Sequence, residues 1–209
     1  MRRGFLGGTF DPIHRGHLDV ATAAQRALDL DLIEFLPAGT PPHRRAPVAS
    51  VAHRLAMVRL AIADHPGWAM SDLDTLDASR PAYTSETLDR LAGSGLDTRT
   101  LFFVTGADAF RDIATWKGFP GILDRCHFVA VSRPGCAATS LPGLLPVLAG
   151  RMLEAPCRIP ARPGIFLVDA ATAPVSSTDV RRRLSADESI DTLVPDDVAR
   201  YIRTHGLYA

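Results

Sequence analysis

The sequence predicts an α/β fold, a mainly parallel sheet flanked by helices, on three observations. Short apolar runs of strand length recur along the chain; glycine or proline stops the first two; and stretches of helical spacing, rather than tight turns, follow them. Strands joined through helices run parallel and are covered on both faces. Right-handed crossovers then gather the loops that follow the strands along one edge, where open sheets of this kind bind ligands.

The elements follow in order. Arg3 to Gly7 is a short apolar run that stops at Gly7-Gly8, and a helical pattern from Gly16 puts Leu18, Ala21, Ala24 and Leu28 on one face. Leu32 to Leu36 is a second strand, Pro37 to Ser50 a Pro-rich loop, and Val51 to Ala63 a helix through Leu55, Val58 and Ile62. Further strands are expected at Ala69 to Ser71, Leu101 to Val104, Phe128 to Val131 and Ile165 to Val168. Helices are expected at Ser85 to Leu91, Ser177 to Leu184 and Asp196 to Thr204. From Arg133 to Pro163 prolines and glycines interrupt the periodicity, so this stretch reads as a long excursion between two strands, with a short helix over Leu144 to Met152. No repeat is visible, and 209 residues suit a single domain over 1–209.

Composition narrows the function. With 46% hydrophobic and 22% charged residues, the chain can bury a sizeable core, and disorder is not the default reading. Lys plus Arg equals Asp plus Glu at 23 each, so no global positive field recommends a nucleic acid partner. No apolar stretch approaches the about 18 residues of a membrane span, and no export signal is seen, so no membrane partner is expected. Cys126, Cys136 and Cys157 are odd in number and lack CxxC spacing, which favours a reducing, cytoplasmic setting over a disulfide or zinc framework.

The chemistry concentrates after the first strand. Gly7 and Gly8 leave room for a phosphate to approach backbone N–H groups, yet neither GxGxxG nor GxxxxGK[ST] is present. His14 and His17 are three residues apart at the start of a helix, so both rings can face one side of a terminus that favours anions, with Gly16 keeping the space between them open. A lone histidine there is more often a cap or a satisfied core residue; the combined pattern favours a phosphate site. Near the other end, Ser177 or Thr178 can cap a helix whose free N–H groups, with the Arg181 guanidinium, suit further phosphate oxygens. Asp11 fits the fixing of the loop through backbone hydrogen bonds better than a base.

The segment Gly7-Gly8-Thr9-Phe10-Asp11-Pro12-Ile13-His14-Arg15-Gly16-His17 resembles the HxGH signature of the nucleotidyltransferase superfamily, whose members have a Rossmann-like, doubly wound fold. Val175-Ser176-Ser177-Thr178-Asp179-Val180-Arg181 is similar to its ISSTxxR element, with Val175 in place of Ile. Within the superfamily the chain resembles the bacterial nicotinate-mononucleotide adenylyltransferases over nearly its whole length. Thr40-Pro41-Pro42-His43-Arg44 resembles their acceptor-side PPH(K/R) loop, and Arg80-Pro81-Ala82-Tyr83-Thr84 their RPxYT segment. Thr105-Gly106-Ala107-Asp108 with Trp116 resembles their GxD element and downstream stacking tryptophan.

The resemblance implies adenylyl transfer from ATP to nicotinate mononucleotide in NAD synthesis. It casts His14, His17 and Arg181 as catalytic, and Gly7, Gly8, Thr9, Phe10, Gly106, Asp108, Ser177 and Thr178 as ATP-binding. For the nicotinate mononucleotide it implies His43, Arg44, Tyr83, Thr84, Trp116 and Arg133. Mg²⁺ would arrive on the ATP phosphates, since no carboxylate cage is evident, and a homo-oligomer stays open. Two rivals remain: a transferase of the same superfamily acting on pantetheine phosphate, flavin mononucleotide or an alcohol phosphate, and a non-catalytic nucleotide sensor.

Overall fold

The computed structural model describes residues 1–40, 46–76 and 81–209. Among the described residues, seven strands form one sheet in the order β3-β2-β1-β4-β5-β7-β6, and every pairing within it is parallel. They are β1 (Arg3–Gly8), β2 (Leu32–Pro37), β3 (Trp68–Met70), β4 (Phe102–Gly106), β5 (His127–Val131), β6 (Met152–Glu154) and β7 (Ile165–Val168). The chain builds outward from β1 through β2 to β3, then returns to place β4 on the other flank of β1. That reversal makes a crevice between the ends of β1 and β4, where Gly8 and Gly106 stand.

The helices are α1 (Arg15–Leu28), α2 (Val51–Ile62), α3 (Thr84–Gly93), α4 (Ala107–Phe110), α5 (Leu141–Leu144), α6 (Ser177–Ser185) and α7 (Asp196–Thr204). Alternation along the strands feeds two cores. Phe102, Val104, Val129 and Val131 join Leu6, Phe10 and the residues of α1, α2 and α7; Phe103, Phe128 and Ala130 join Phe5, Leu88, Phe110 and Leu141. Period-two side chains buried on both faces are what a parallel sheet requires.

Three expectations need correction. Leu144 to Met152 is not one helix: α5 ends at Leu144, a 3-10 turn covers Pro146–Arg151, and Met152 opens β6. The excursion thus hides an edge strand too short for a periodicity reading. The buried face of α2 is rotated from the expected one: Arg54, Met57, Val58, Ala61 and Ile62 are inside, whereas Leu55 is only half-buried. Third, the helix after Val175 is capped by neither Ser177 nor Thr178. Ser176 is the cap, its hydroxyl accepting from Asp179 N–H at 3.1 Å.

Candidate active site

Two segments far apart in sequence meet at the crevice. The first is the turn from Thr9 to His14, which enters α1. Phe10 is buried with φ of 50°, a left-handed conformation that a bulky residue adopts only when its surroundings hold it there. Its ring packs edge-on against His17, with centroids 4.9 Å apart. A Cβ on Gly8 would strike the Phe10 ring at 2.8 Å, and one on Gly7 would strike Phe103 at 2.9 Å. These glycines therefore make room for the protein's own aromatic rings at the end of β1.

His14 is the N-cap residue of α1, and its ring stacks on that of His17 with centroids 3.7 Å apart. Both rings share one side of the helix entrance, as the three-residue spacing predicts. His17 Nδ1 accepts the backbone N–H of His14 at 3.2 Å, which leaves the ring proton on Nε2. His14 is 3% exposed; burial, and next the Arg133 guanidinium, lower its pKa to about 3. The imidazole is thus neutral at physiological pH. Its Nδ1 is buried and has no hydrogen-bond partner among the described residues.

The second segment is the first turn of α6. Ser177 Oγ donates to Pro12 O at 2.9 Å, and Arg181 donates from Nη1 to Asp11 O and from Nη2 to Thr178 Oγ1. Thus α6 starts against the turn that starts α1, and the positive dipole ends of the two helices lie together. Arg182 and Arg183 instead pair with Asp179.

Arg133, just after β5, fills the space beside Gly16. It donates to Gly16 O at 3.0 Å and to Val175 O at 2.9 Å, joining the entrance of α1 to the approach of α6. A Cβ on Gly16 would strike its Nη1, and one on Gly106 its Cγ at 2.9 Å. The gap expected at Gly16 is therefore occupied by a guanidinium. Asp108 lies exposed in the first turn of α4, its Oδ1 accepting Ala109 N–H.

On the other flank, Ala82 N donates to Thr40 O at 2.8 Å, bringing the start of the Pro-rich loop beside the turn into α3. Tyr83 is the N-cap residue of α3, Thr84 its first residue, and Lys117 Nζ lies 4.8 Å from the centre of the Tyr83 ring. Tyr83 N–H donates to Pro81 O at 3.0 Å. Trp116 is half-buried against Phe103 and Phe128, which makes one part of it core. His43 and Arg44 lie outside the described residues.

Three residues escaped the sequence reading. Arg54, 1% exposed, donates to Thr9 O at 2.7 Å, Ala38 O at 2.6 Å and Gly39 O at 3.0 Å, so it ties the Thr9 turn to the end of β2. Its spacing with Met57, Val58 and Ala61 was the available signal, since i, i+3, i+4 and i+7 share one face. Asp19 holds Ala173 N–H at 2.7 Å. Tyr208 donates to Asp11 Oδ1 at 2.7 Å across 197 residues of sequence, a link that no local pattern announces.

A match to the family described as Cytidylyltransferase-like covers residues 5–183, and the chain belongs to that family. Within it, the chain groups with the nicotinate-nucleotide adenylyltransferases. Relatives named as probable members are 41% identical in Geobacter sp. (strain M21), over 100% of this chain and 98% of the relative, and 41% identical in Thermus thermophilus, over all of both chains. The fold agrees: Plasmodium falciparum nicotinic acid mononucleotide adenylyltransferase complexed with NaAD superposes with a TM-score of 0.77. At 18% identity, the match covers 99% of this chain and 97% of that one.

Proposed function

We propose that this protein transfers the adenylyl group of ATP to nicotinate mononucleotide, giving nicotinate adenine dinucleotide and pyrophosphate. The observation that carries the reading is the convergence of the His14–His17 stack and the first turn of α6 at the crevice between β1 and β4. It fits a nucleoside triphosphate: two imidazoles for the α-phosphoryl group, a helix terminus and Arg181 for the leaving pyrophosphate. The relatives' names point to the same reaction.

An oxygen of the acceptor phosphate attacks the α-phosphorus, the bond from that phosphorus to the α–β bridging oxygen breaks, and pyrophosphate leaves with the electron pair. No covalent enzyme intermediate is needed, so catalysis rests on in-line placement and on neutralising developing charge. His17, with its proton on Nε2, donates to the α-phosphoryl oxygens. The neutral His14 imidazole, stacked on His17, is the second ring at the same helix entrance. Thr9, Phe10, Gly7, Gly8, Gly106, Asp108, Ser177 and Thr178 line the ATP side. Arg133, with both terminal nitrogens on carbonyls, serves as a brace rather than as a direct acceptor ligand.

Tyr83, Thr84 and Trp116 serve the acceptor, a reading supported by the pairing of Thr40 with Pro81 and Ala82; the resemblance adds His43 and Arg44, which lie outside the described residues. Asp11, the carboxylate of the turn, is already taken by Val48 N–H, Ala49 N–H and Tyr208. The donor set therefore fits a Mg²⁺ ion carried by the triphosphate and not one held by the protein. Bound there, it would supply neutralisation of phosphate charge. No described helix is long and apolar enough to cross a membrane. Three free cysteines, two of them buried, support a cytoplasmic setting. Pyrophosphate release with ATP against a panel of phosphorylated acceptors tests the reading: turnover should be fastest with nicotinate mononucleotide, and equal or better turnover with pantetheine phosphate or flavin mononucleotide would overturn it.

A further inference from the structure

Three charged side chains meet at the entrance of α3. Glu86 is the third residue of the helix after the N-cap Tyr83, whose carbonyl accepts the N–H of Glu86 at 2.9 Å and of Thr87 at 3.0 Å. Thr84 N–H belongs to the same first turn, has no carbonyl within the helix to receive it, and is suited to donate to an anion. An acidic side chain at the third position ordinarily turns back toward the N–H groups at the helix start. There it would compete for the same donors with a carboxylate on the acceptor, and repel it. Instead, Lys117 Nζ donates to Glu86 Oε1 at 2.7 Å, and Arg90 Nη2, one turn further along the helix, lies 3.7 Å from Oε2. Both oxygens of Glu86 are thereby drawn to cations.

Lys117 directly follows Trp116 and is the only lysine in the chain. Its ammonium also lies 4.8 Å from the centre of the Tyr83 ring, so it sits over the N-cap residue of α3. The turn that carries it is docked on α3 by other contacts as well. Gly118, at φ of 89°, brings the backbone so close that a Cβ there would meet Ser85 Cβ at 3.6 Å. Arg125 donates from Nη1 to Ser85 O at 3.0 Å and from Nη2 to Asp89 Oδ1 at 2.7 Å. We infer that Lys117 is a positioning residue that sets acceptor specificity: it holds and neutralises Glu86, and so reserves the N–H at the start of α3 for an acceptor that bears a carboxylate. With Lys117 54% exposed, the ion pair adds little to stability, and its weight falls on the incoming anion.

This rests on the adenylyl-transfer reading, and the test separates the two. The readout is the ratio of kcat/KM for nicotinate mononucleotide to that for nicotinamide mononucleotide at fixed ATP and Mg²⁺, in which any change on the ATP side divides out. Lys117→Met keeps the aliphatic stem and removes the charge. It should lower the ratio about tenfold, the lower end of what one hydrogen bond to a charged group contributes, through loss on the acid alone. Lys117→Arg, which keeps the cation, should retain most of the preference. Adding Glu86→Gln to Lys117→Met removes the competing carboxylate and should restore the ratio to within about twofold of wild type. In the free protein, the Thr84 amide proton resonance should move downfield in Lys117→Met, as Glu86 takes up that N–H, and return in the double variant. The resonance needs no turnover, so it decides the role of Lys117 even where wild-type protein fails to form the dinucleotide, a failure that would remove the reading instead. With active wild-type protein, an unchanged ratio in Lys117→Met, equal losses on acid and amide, or a double variant as unselective as the single one would overturn the proposal, as would an unmoved Thr84 resonance.

Discussion

The Arg133 guanidinium lies where a side chain on residue 16 would lie, and Gly16 is small for that reason. A Cβ at position 16 would also approach Ala173 O at 3.2 Å, so both the brace and the loop it braces close over this glycine. Alanine is the better helix former by about 1 kcal/mol, so propensity alone would make Gly16→Ala stabilising. Overpacking at about 1–3 kcal/mol opposes it and should win. The expected outcome is a lower denaturation midpoint and much reduced turnover, with the midpoint partly recovered when Arg133→Ala is added. A midpoint above wild type for Gly16→Ala would show that the brace yields freely.

His14 carries a pH dependence whose sign is fixed by its burial. Its folded pKa of about 3 lies below the unfolded 6.5, so the unfolded chain takes up a proton that the folded one refuses. Stability from this group is complete above pH 6.5 and is lost as pH falls toward 3. Between pH 7 and 5 the loss is about 2 kcal/mol. His14→Gln should flatten the stability profile over that window by a similar amount, read from urea midpoints at the two pH values. Parallel profiles for variant and wild type would contradict a neutral, buried His14.

Arg54 should be among the costliest residues to alter outside the reacting groups. Replacement by methionine keeps bulk but leaves the Thr9, Ala38 and Gly39 carbonyls without their donor, and should destabilise by about 3–5 kcal/mol. Lysine, with one nitrogen in place of a planar fork, should rescue only part of it. Denaturant unfolding of the two variants gives the answer; a loss under about 1 kcal/mol for Arg54→Met would mean that water replaces the guanidinium.

The contrast between Arg54 and His14 shows what the chain discloses. Patterns confined to one segment were legible: alternating strands and helices, the two histidines on one side of a helix entrance, and the helix that follows Val175. Long-range partnerships were not. Arg133 with Gly16, and Tyr208 with Asp11, depend on how the sheet folds distant segments together, and no spacing rule encodes them. Ser176 was missed in favour of its neighbours because three hydroxyl residues stand in a row and only the turn geometry chooses among them. The strand at Met152–Glu154 was missed because three residues carry no period.

His17→Ala should act on the rate. With Nδ1 fixed by His14 N–H, the donor on Nε2 gains most when charge builds on the α-phosphoryl oxygens. Loss of one such donor corresponds to roughly 100- to 1,000-fold in kcat, with the KM for ATP changed far less. Steady-state kinetics with both substrates separates the terms, and near-normal kcat would exclude His17 from the reaction.

Selectivity for the acid over the amide mononucleotide should reside in the backbone at the start of α3. A carboxylate accepts on both oxygens, whereas an amide turns an NH₂ toward any N–H donor, so main-chain N–H groups discriminate between them. Tyr83 N–H is already given to Pro81 O, which shifts the task to Thr84, whose N–H belongs to the first turn of α3 and has no carbonyl within the helix to receive it. Proline at 84 would delete that donor with little harm to the fold. It is favoured at the first position of a helix, and Tyr83, at φ of −74° and ψ of 135°, already has the extended conformation that a following proline demands. One lost hydrogen bond to a charged group corresponds to about 1.5–3 kcal/mol, or roughly 10- to 150-fold. Thr84→Pro should therefore lower kcat/KM for nicotinate mononucleotide by that factor while leaving the nicotinamide form nearly unchanged. Thr84→Ala, which keeps the N–H, should preserve most of the preference. The measurement is kcat/KM for both mononucleotides at fixed ATP and Mg²⁺ in the three proteins, and a Thr84→Pro variant that keeps the wild-type ratio would remove this amide from the recognition of the carboxylate.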